Sequence, residues 1–509
     1  MNNKRDRINI QTHLGPVSGI SKKEGIFFKG IPYGADTSGS NRWRAPQEPS
    51  SWTEAFDASS FGPQCPQFRM GEGGFRGSIA KAYGVDIPIE ETPNESEDCL
   101  RLNIYTPDIK PQKNLPVMFW IHGGALRNGS GDPYLPQGIL SKEVLLVTIN
   151  YRLGELGFFS HPALSDDSPV TNFGLLDQIK ALDWVRKNIE NFGGDPENIT
   201  IFGESAGGLS VAALLVSPLS EGLFHKAVVQ SGGFARMNLH YKNLNDQGMS
   251  GEGLGLSFCN ACGVADGPDQ LEKMRALPVE EIIQKGIGFP SILFIDDYSM
   301  KSGVIQGFES GNNHKVPTII GTNADEGTAL YWGSPLADEM PPVDTVEKYT
   351  SIIVDRFGDN SSEVLNNFPA SDYEEMLDSS KRLLGDSLFG APSYFASKAM
   401  AERDEDIYFY HFTQKPSGPA GETLGSFHAY EIGYVFGVSG LGPIENQELS
   451  NYMLSYWTNF SKTGNPNDSD LPDWETMQAG EEYWHELGEF VGKKSIERLS
   501  IYHLLDKII

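Results

Sequence analysis

A serine held between two glycines at a strand-to-helix junction constrains this chain more than any other stretch. Residues 203 to 207 read Gly203-Glu204-Ser205-Ala206-Gly207. The preceding Asn198-Ile-Thr-Ile-Phe202 is β-branched and aromatic and predicts a short buried strand. The following Leu209-Ser-Val-Ala-Ala-Leu-Leu-Val216 predicts a buried helix. No residues are left over for a loop, so the chain must reverse at Ser205 in a strained backbone conformation. The flanking glycines remove the Cβ atoms that would clash there. The hydroxyl is then thrust above the sheet, beside the positive end of the helix. Small residues around a serine are common in turns; the strand before and the helix after are what make this one a nucleophile elbow.

The neighbouring segments extend the same pattern. Leu115-Pro-Val-Met-Phe-Trp-Ile121 is an apolar run bounded by turn formers and predicts a central parallel strand, ending in His122-Gly123-Gly124-Ala125. Val144-Leu-Leu-Val-Thr-Ile-Asn150 predicts another strand. Residues 173 to 190 carry Leu175, Leu176, Ile179, Leu182, Val185 and Ile189 at helical spacing. Further strands are predicted at residues 226–232, 316–321 and 406–412, the last being the final clear sheet strand. Residues 251–300 are Gly-rich and mixed, and 345–404 read as helices forming a wall or cap. The tail from Tyr452 reads as a helix followed by a short β-rich end. Strand and helix in alternation predict an α/β fold with a large, mostly parallel central sheet covered by helices on both faces. No internal repeat or low-complexity linker divides the chain, which predicts one domain over residues 1–509.

Charge narrows the partners. With 68 acidic and 40 basic residues the formal net charge is −28, which argues against nucleic acid or an anionic membrane as a partner. No apolar run is long enough to cross a bilayer. The N-terminus, Met-Asn-Asn-Lys-Arg-Asp-Arg, lacks the apolar core of a secretory leader, which fits an intracellular protein or one whose leader has been removed, and leaves the compartment open. Four cysteines are too few for a disulfide scaffold. Cys259 and Cys262 form a lone C-x-x-C with no second pair and no nearby histidine, so a structural role or a local bridge is expected rather than zinc.

A serine hydroxyl is too weak an acid to attack an ester unaided; it needs a base, and the base needs an orienting carboxylate. Behind a nucleophile elbow the chain order is serine, acid, histidine. The strand at 316–321 delivers two neighbouring carboxylates, Asp325 and Glu326, and position alone does not separate them. The histidines that follow are His411, His428, His485 and His503. His411 lies inside a strand among alternating aromatics and reads as core, and His485 and His503 belong to the polar tail. His428, in a Gly-containing loop just past the strand, is the expected base. The oxyanion needs backbone N–H donors, and Gly123, Gly124 and Ala206 are placed to supply them.

Four motifs together carry a resemblance. Glu97-Asp-Cys-Leu-Arg-Leu-Asn-Ile-Tyr-Thr-Pro107, Phe202-Gly-Glu-Ser-Ala-Gly-Gly208, Gly321-Thr-Asn-Ala-Asp-Glu-Gly327 and His428-Ala-Tyr-Glu-Ile-Gly-Tyr-Val-Phe-Gly437 resemble the type-B carboxylesterase family. That family includes the cholinesterases and the bacterial para-nitrobenzyl esterases, and the likeness runs from about Gly15 to the Trp457–Pro466 stretch. The resemblance implies an α/β-hydrolase fold and a serine hydrolase acting on small-molecule carboxylic esters through an acyl-enzyme, with no metal or organic cofactor. It implies Glu326 rather than Asp325 as the acid, a Cys65–Cys99 bridge, and support of the histidine by Glu204 and Ser231. No tryptophan lies between Cys65 and Cys99, where cholinesterases hold a quaternary ammonium by cation–π attraction, so choline esters are not expected. The alternatives are a non-catalytic cholinesterase-like binding module, or a lipase, amidase or carbamate hydrolase using the same site. The oligomeric state and the physiological ester stay open.

Overall fold

Strands whose residues are apolar on both sides are stable only where both faces of a sheet are covered. In the computed structural model such strands form the middle of one sheet. The structure describes residues 7–69, 74–86, 94–164, 171–233, 239–245, 248–332 and 341–508. The strands are β1 (Arg7–Gln11), β2 (Pro16–Lys22), β3 (Gly25–Pro32), β4 (Phe56–Asp57), β5 (Arg101–Thr106), β6 (Leu115–Ile121), β7 (Leu145–Ile149), β8 (Gly194–Glu204), β9 (Lys226–Gln230), β10 (Thr318–Asn323), β11 (Ile407–Phe412), β12 (Tyr483–Leu487) and β13 (Val491–Ser495). Among the described residues they form one 13-stranded sheet in the order β1-β2-β3-β5-β7-β6-β8-β9-β10-β11-β12-β13, with β4 beside β2. Pairing is parallel from β7 through β12 and antiparallel on both flanks except for the short β4, which runs parallel to β2, so the sheet is mixed around a parallel centre.

The pleat sorts the central side chains onto two faces. Val117, Phe119, Ile121, Ile199, Ile201, Ala227, Val229 and Ile320 pack with the helices Phe173–Asn188 and Ala206–Val216. Met118, Trp120, Phe202, Val228, Ile319 and Tyr410 pack on the other face, with the helices Glu431–Phe436 and Gln447–Thr463. Parallel register brings Ile121 level with Gly203 and Glu204 level with Gln230, while Gln230 is level with Gly321. With Asn323 level with Phe412 of β11, the carboxyl ends of five strands share one edge, the place where open α/β sheets bind ligands.

The C-terminal part has the helix, Gln447–Thr463, and the β-rich end expected of it, but its strands extend the main sheet and a further helix follows them. The strand at 407–412 is followed by β12 and β13, and the chain closes with the helix Leu499–Ile508. His485 is buried within β12 between Trp474 and Tyr456 rather than in a polar tail. Strand pairing with β11 explains this: β12 is covered on both faces, so its polar residues are carried inward with it. The Gly-rich 251–300 segment contains the helix Gly251–Ala261. Among the described residues, no helix is long and apolar enough to cross a membrane.

Candidate active site

The chain turns from β8 into the helix Ala206–Val216 with Ser205 at φ 57°, ψ −124°. Only the two glycines make that turn possible. A Cβ on Gly207 would come within 2.0 Å of the Ile121 carbonyl oxygen, and one on Gly203 within 2.6 Å of the Gly207 backbone. The Ser205 N–H donates to the Gln230 carbonyl, which ties the elbow to β9. Ala125, Leu126, Ser231 and Ala429 also hold positive φ, so the left-handed conformations cluster around the same edge.

Glu326 and His428 meet behind that elbow. Glu326 Oε2 accepts from His428 Nδ1 at 2.5 Å, and both side chains are 3% exposed. Glu326 Oε1 accepts from the Ser231 hydroxyl at 2.6 Å and the Asn323 N–H at 2.8 Å, which leaves the carboxylate one orientation. Asp325 faces the other way. It pairs as an isolated bridge with Phe427, its Oδ2 accepts the Ser426 N–H, and Lys415 lies 3.8 Å from it. Asp325 therefore clips together the two loops that carry the acid and the base.

Two further carboxylates surround the imidazole. Glu204 Oε1 lies 3.1 Å from His428 Nε2. Glu431, fully buried, accepts from Gln230 Nε2 and Asn323 Nδ2. Burial pulls the His428 pKa down, but Glu204, Glu326 and Glu431 together outweigh it and push it up to about 9. Burial likewise pushes the Glu204 and Glu431 carboxyls up, Glu204 well above the usual range. His428 Nε2 has no hydrogen bond to Ser205 in this structure, and neither it nor Glu204 Oε1 has a hydrogen-bond partner.

The loop after β6 lies against Ser205. A Cβ on Gly123 would come 2.6 Å from the Glu204 carbonyl oxygen and 3.0 Å from Ser205 Cβ. Gly124 sits at φ 108°, and its carbonyl accepts the N–H groups of Arg127 and Asn128. Among the described residues, the N–H groups of Gly123, Gly124 and Ala125 have no acceptor. His122 steadies the loop from below: Nδ1 donates to the Gly123 carbonyl, the ring stacks on Tyr151, and Tyr151 donates to the His122 carbonyl. Burial lowers His122 to about 4, so it is neutral at pH 7. Ala125 was not singled out from the sequence; an alanine at φ 54° leaves no trace in composition.

The edge thus gathers Ser205, Glu326, His428, Gly123, Gly124, Ala206, Glu204 and Ser231 from five strand ends. His411 stays apart in β11, stacked on Trp484 at 3.9 Å, with burial lowering its pKa to about 3. The expected Cys65–Cys99 bridge is corrected: both are free thiols, fully buried. The two are brought together, since Cys99 hydrogen-bonds Cys65 and is pushed well up by that contact and by burial. Cys65 Sγ also accepts the Leu153 N–H. A protonated thiol in this apolar setting is satisfied by packing and hydrogen bonding without a covalent link. Cys259 and Cys262 are also free and buried, and among the described residues no group of side chains could hold a metal ion.

Comparison with known proteins points the same way. Residues 6–498 match the profile of the Carboxylesterase family. The chain is 33% identical over 480 residues to the para-nitrobenzyl esterase of Bacillus subtilis (strain 168), covering 90% of each chain. It is 35% identical over 482 residues to the fumonisin B1 esterase of Sphingopyxis macrogoltabida, covering 91% of this chain and 83% of that one. A solved structure of a PNB esterase superposes with a TM-score of 0.80 at 30% identity, covering 98% of this chain and 99% of the other. A family profile over nearly the whole length, on a sheet whose carboxyl edge carries a nucleophile elbow, makes this chain a member of the carboxylesterase family and a carboxylic-ester hydrolase.

Proposed function

We propose that the protein hydrolyses small-molecule esters through an acyl-enzyme on Ser205, with His428 as general base and acid and Glu326 as its orienting carboxylate. The observation that carries this reading is the buried Glu326–His428 hydrogen bond at the edge where the elbow presents Ser205. Nε2 takes the Ser205 proton as Oγ attacks the ester carbonyl carbon. The N–H groups of Gly123, Gly124 and Ala206, joined by Ala125, are the candidate donors to the resulting oxyanion. Collapse breaks the bond to the alcohol, which leaves with the proton from Nε2. A water then gives its proton to Nε2 and attacks the acyl carbon, and Ser205 recovers its proton as the acid departs. The missing Ser205–His428 bond fits a free enzyme whose catalytic contacts tighten only around substrate. Glu204 and Ser231 support the imidazole and the acid from behind. The relatives named para-nitrobenzyl esterase and fumonisin B1 esterase support a small-molecule ester as substrate.

Replacing Ser205 by Ala is expected to lower kcat/KM for a p-nitrophenyl ester by at least about 10⁴-fold, since a nucleophile's removal forfeits most of such a site's catalysis. A fluorophosphonate probe should label wild type at Ser205 and leave the variant unlabelled. A folded Ser205→Ala protein with near wild-type turnover overturns the reading.

A further inference from the structure

One turn of helix touches both the acid and the base without belonging to either loop. The helices Tyr373–Gly385 and Ala391–Ala401 are joined by a π-helical turn, Asp386–Gly390, buried throughout. Such single turns are rare and recur at functional sites. This one carries Phe389. Its ring lies 4.8 Å from the His428 imidazole at a tilt of 38°. Gly233, at φ 56°, closes over it, so that a Cβ there would stand 3.2 Å from Phe389 Cε1. Just before the turn, Gly385 seats on the acid loop. A Cβ on Gly385 would come 3.0 Å from the Gly327 nitrogen and 3.2 Å from Glu326 Cβ.

The turn is pinned from the far end of the chain. Asp386 is 2% exposed, and its Oδ1 accepts from Arg498 Nη1 at 2.8 Å. Its Oδ2 is buried without a partner. At the other end of the turn, a Cβ on Gly390 would come 2.8 Å from the Tyr502 hydroxyl, one turn into the closing helix. Burying a carboxylate with only one oxygen satisfied is costly, so this pair is poor value as a stabiliser of the fold. Its return lies in the register it imposes.

We propose that the Asp386–Arg498 pair is a positioning device for the acyl-transfer site. It fixes the π turn so that Phe389 is wedged against His428 and Gly385 against Glu326, which holds the acid–base hydrogen bond in line with Ser205. Asp386 and Arg498 touch no reacting atom and act through Phe389; the assignment rests on the triad proposed above. Small misplacements of catalytic groups are expensive in rate, so the pair's loss should show in kcat rather than in binding of a small ester.

A kinetic double-mutant cycle tests this. Arg498→Met, Phe389→Leu and the double variant are compared as kcat for p-nitrophenyl acetate per site titrated with a fluorophosphonate. Each single change is expected to lower kcat about ten-fold with KM within about two-fold, and the double variant to be no worse than either, because one acts through the other. Losses that multiply in the double variant, or an unchanged kcat per titrated site in Arg498→Met, overturn the proposal. The pair Asp386→Asn with Arg498→Gln keeps a hydrogen bond and strands no charge. It carries the same cycle should Arg498→Met not fold, and a kcat loss there that persists undiminished beside Phe389→Leu overturns the proposal equally. Wild type that fails to label at Ser205 defeats the triad itself, whereas labelled wild type with multiplying losses defeats only the positioning.

Discussion

Glu204 crowds the imidazole that Glu326 orients, and the two carboxylates act on it differently. Glu326 holds Nδ1 by a hydrogen bond, whereas Glu204 stands beside Nε2, the nitrogen that must be free to take a proton. A raised His428 pKa means the imidazolium persists to higher pH, so kcat/KM should rise as pH passes through it. Glu204→Gln removes one negative neighbour, lowers that pKa, and should move the acid limb of kcat/KM toward lower pH by about one unit. Rates for a p-nitrophenyl ester between about pH 6 and 10.5, corrected for spontaneous hydrolysis, read this directly. A limb that stays put or moves upward contradicts the ion pair. At this scale Ser205 and His428 were legible in the sequence, because each sits in a local signature whose shape is dictated by a few residues. The choice between Asp325 and Glu326 was not legible from position alone. The family resemblance favoured Glu326, and the pairing of Asp325 with Ser426 and Phe427, a hundred residues away, leaves Glu326 as the carboxylate bonded to His428.

Among the elements, the helix Phe173–Asn188 is held by the most completely buried ion pair near the site. Arg152, just past β7, donates through Nε and Nη2 to both oxygens of Asp177, and its Nη1 donates to the Arg44 carbonyl. The side chains are 2% and 0% exposed. Asp177→Ala would strand a guanidinium in the core, and the expected cost is about 3–5 kcal/mol. Urea unfolding followed by circular dichroism measures it; a loss below about 1 kcal/mol would place the pair among surface bridges in energetic terms. The helix itself was readable from its apolar spacing, as were the central strands. The helix Gly251–Ala261 was hidden by its glycines, which advertise a loop. Their reason is tertiary: a Cβ on Gly255 would come within 1.7 Å of the Ser160 carbonyl oxygen, so packing and not flexibility demands glycine there. Ser250 still caps the helix through the Gly253 N–H. The β-rich end was readable as β12 and β13, whereas the closing helix Leu499–Ile508 escaped, since its burial is conferred by the 386–401 region it packs on.

Across the whole molecule the excess of acid sets how substrates arrive. A formal charge of −28 over the chain attracts cations and repels anions at long range. Neutral esters feel neither. The field reaches about 30 Å at 10 mM salt and about 3 Å at 1 M, so its effect can be switched off without touching the protein. A cationic p-nitrophenyl ester should therefore lose kcat/KM by several-fold between these limits, while its neutral analogue of the same size keeps a nearly constant value. The comparison isolates the long-range field, because salt acting on the fold or on the acid–base chemistry would move both substrates alike. Equal salt responses would mean that the charge serves solubility alone and that selection among esters is made by contact within the site. A fall confined to the cationic ester would mean that the surface acts on substrates before they reach Ser205.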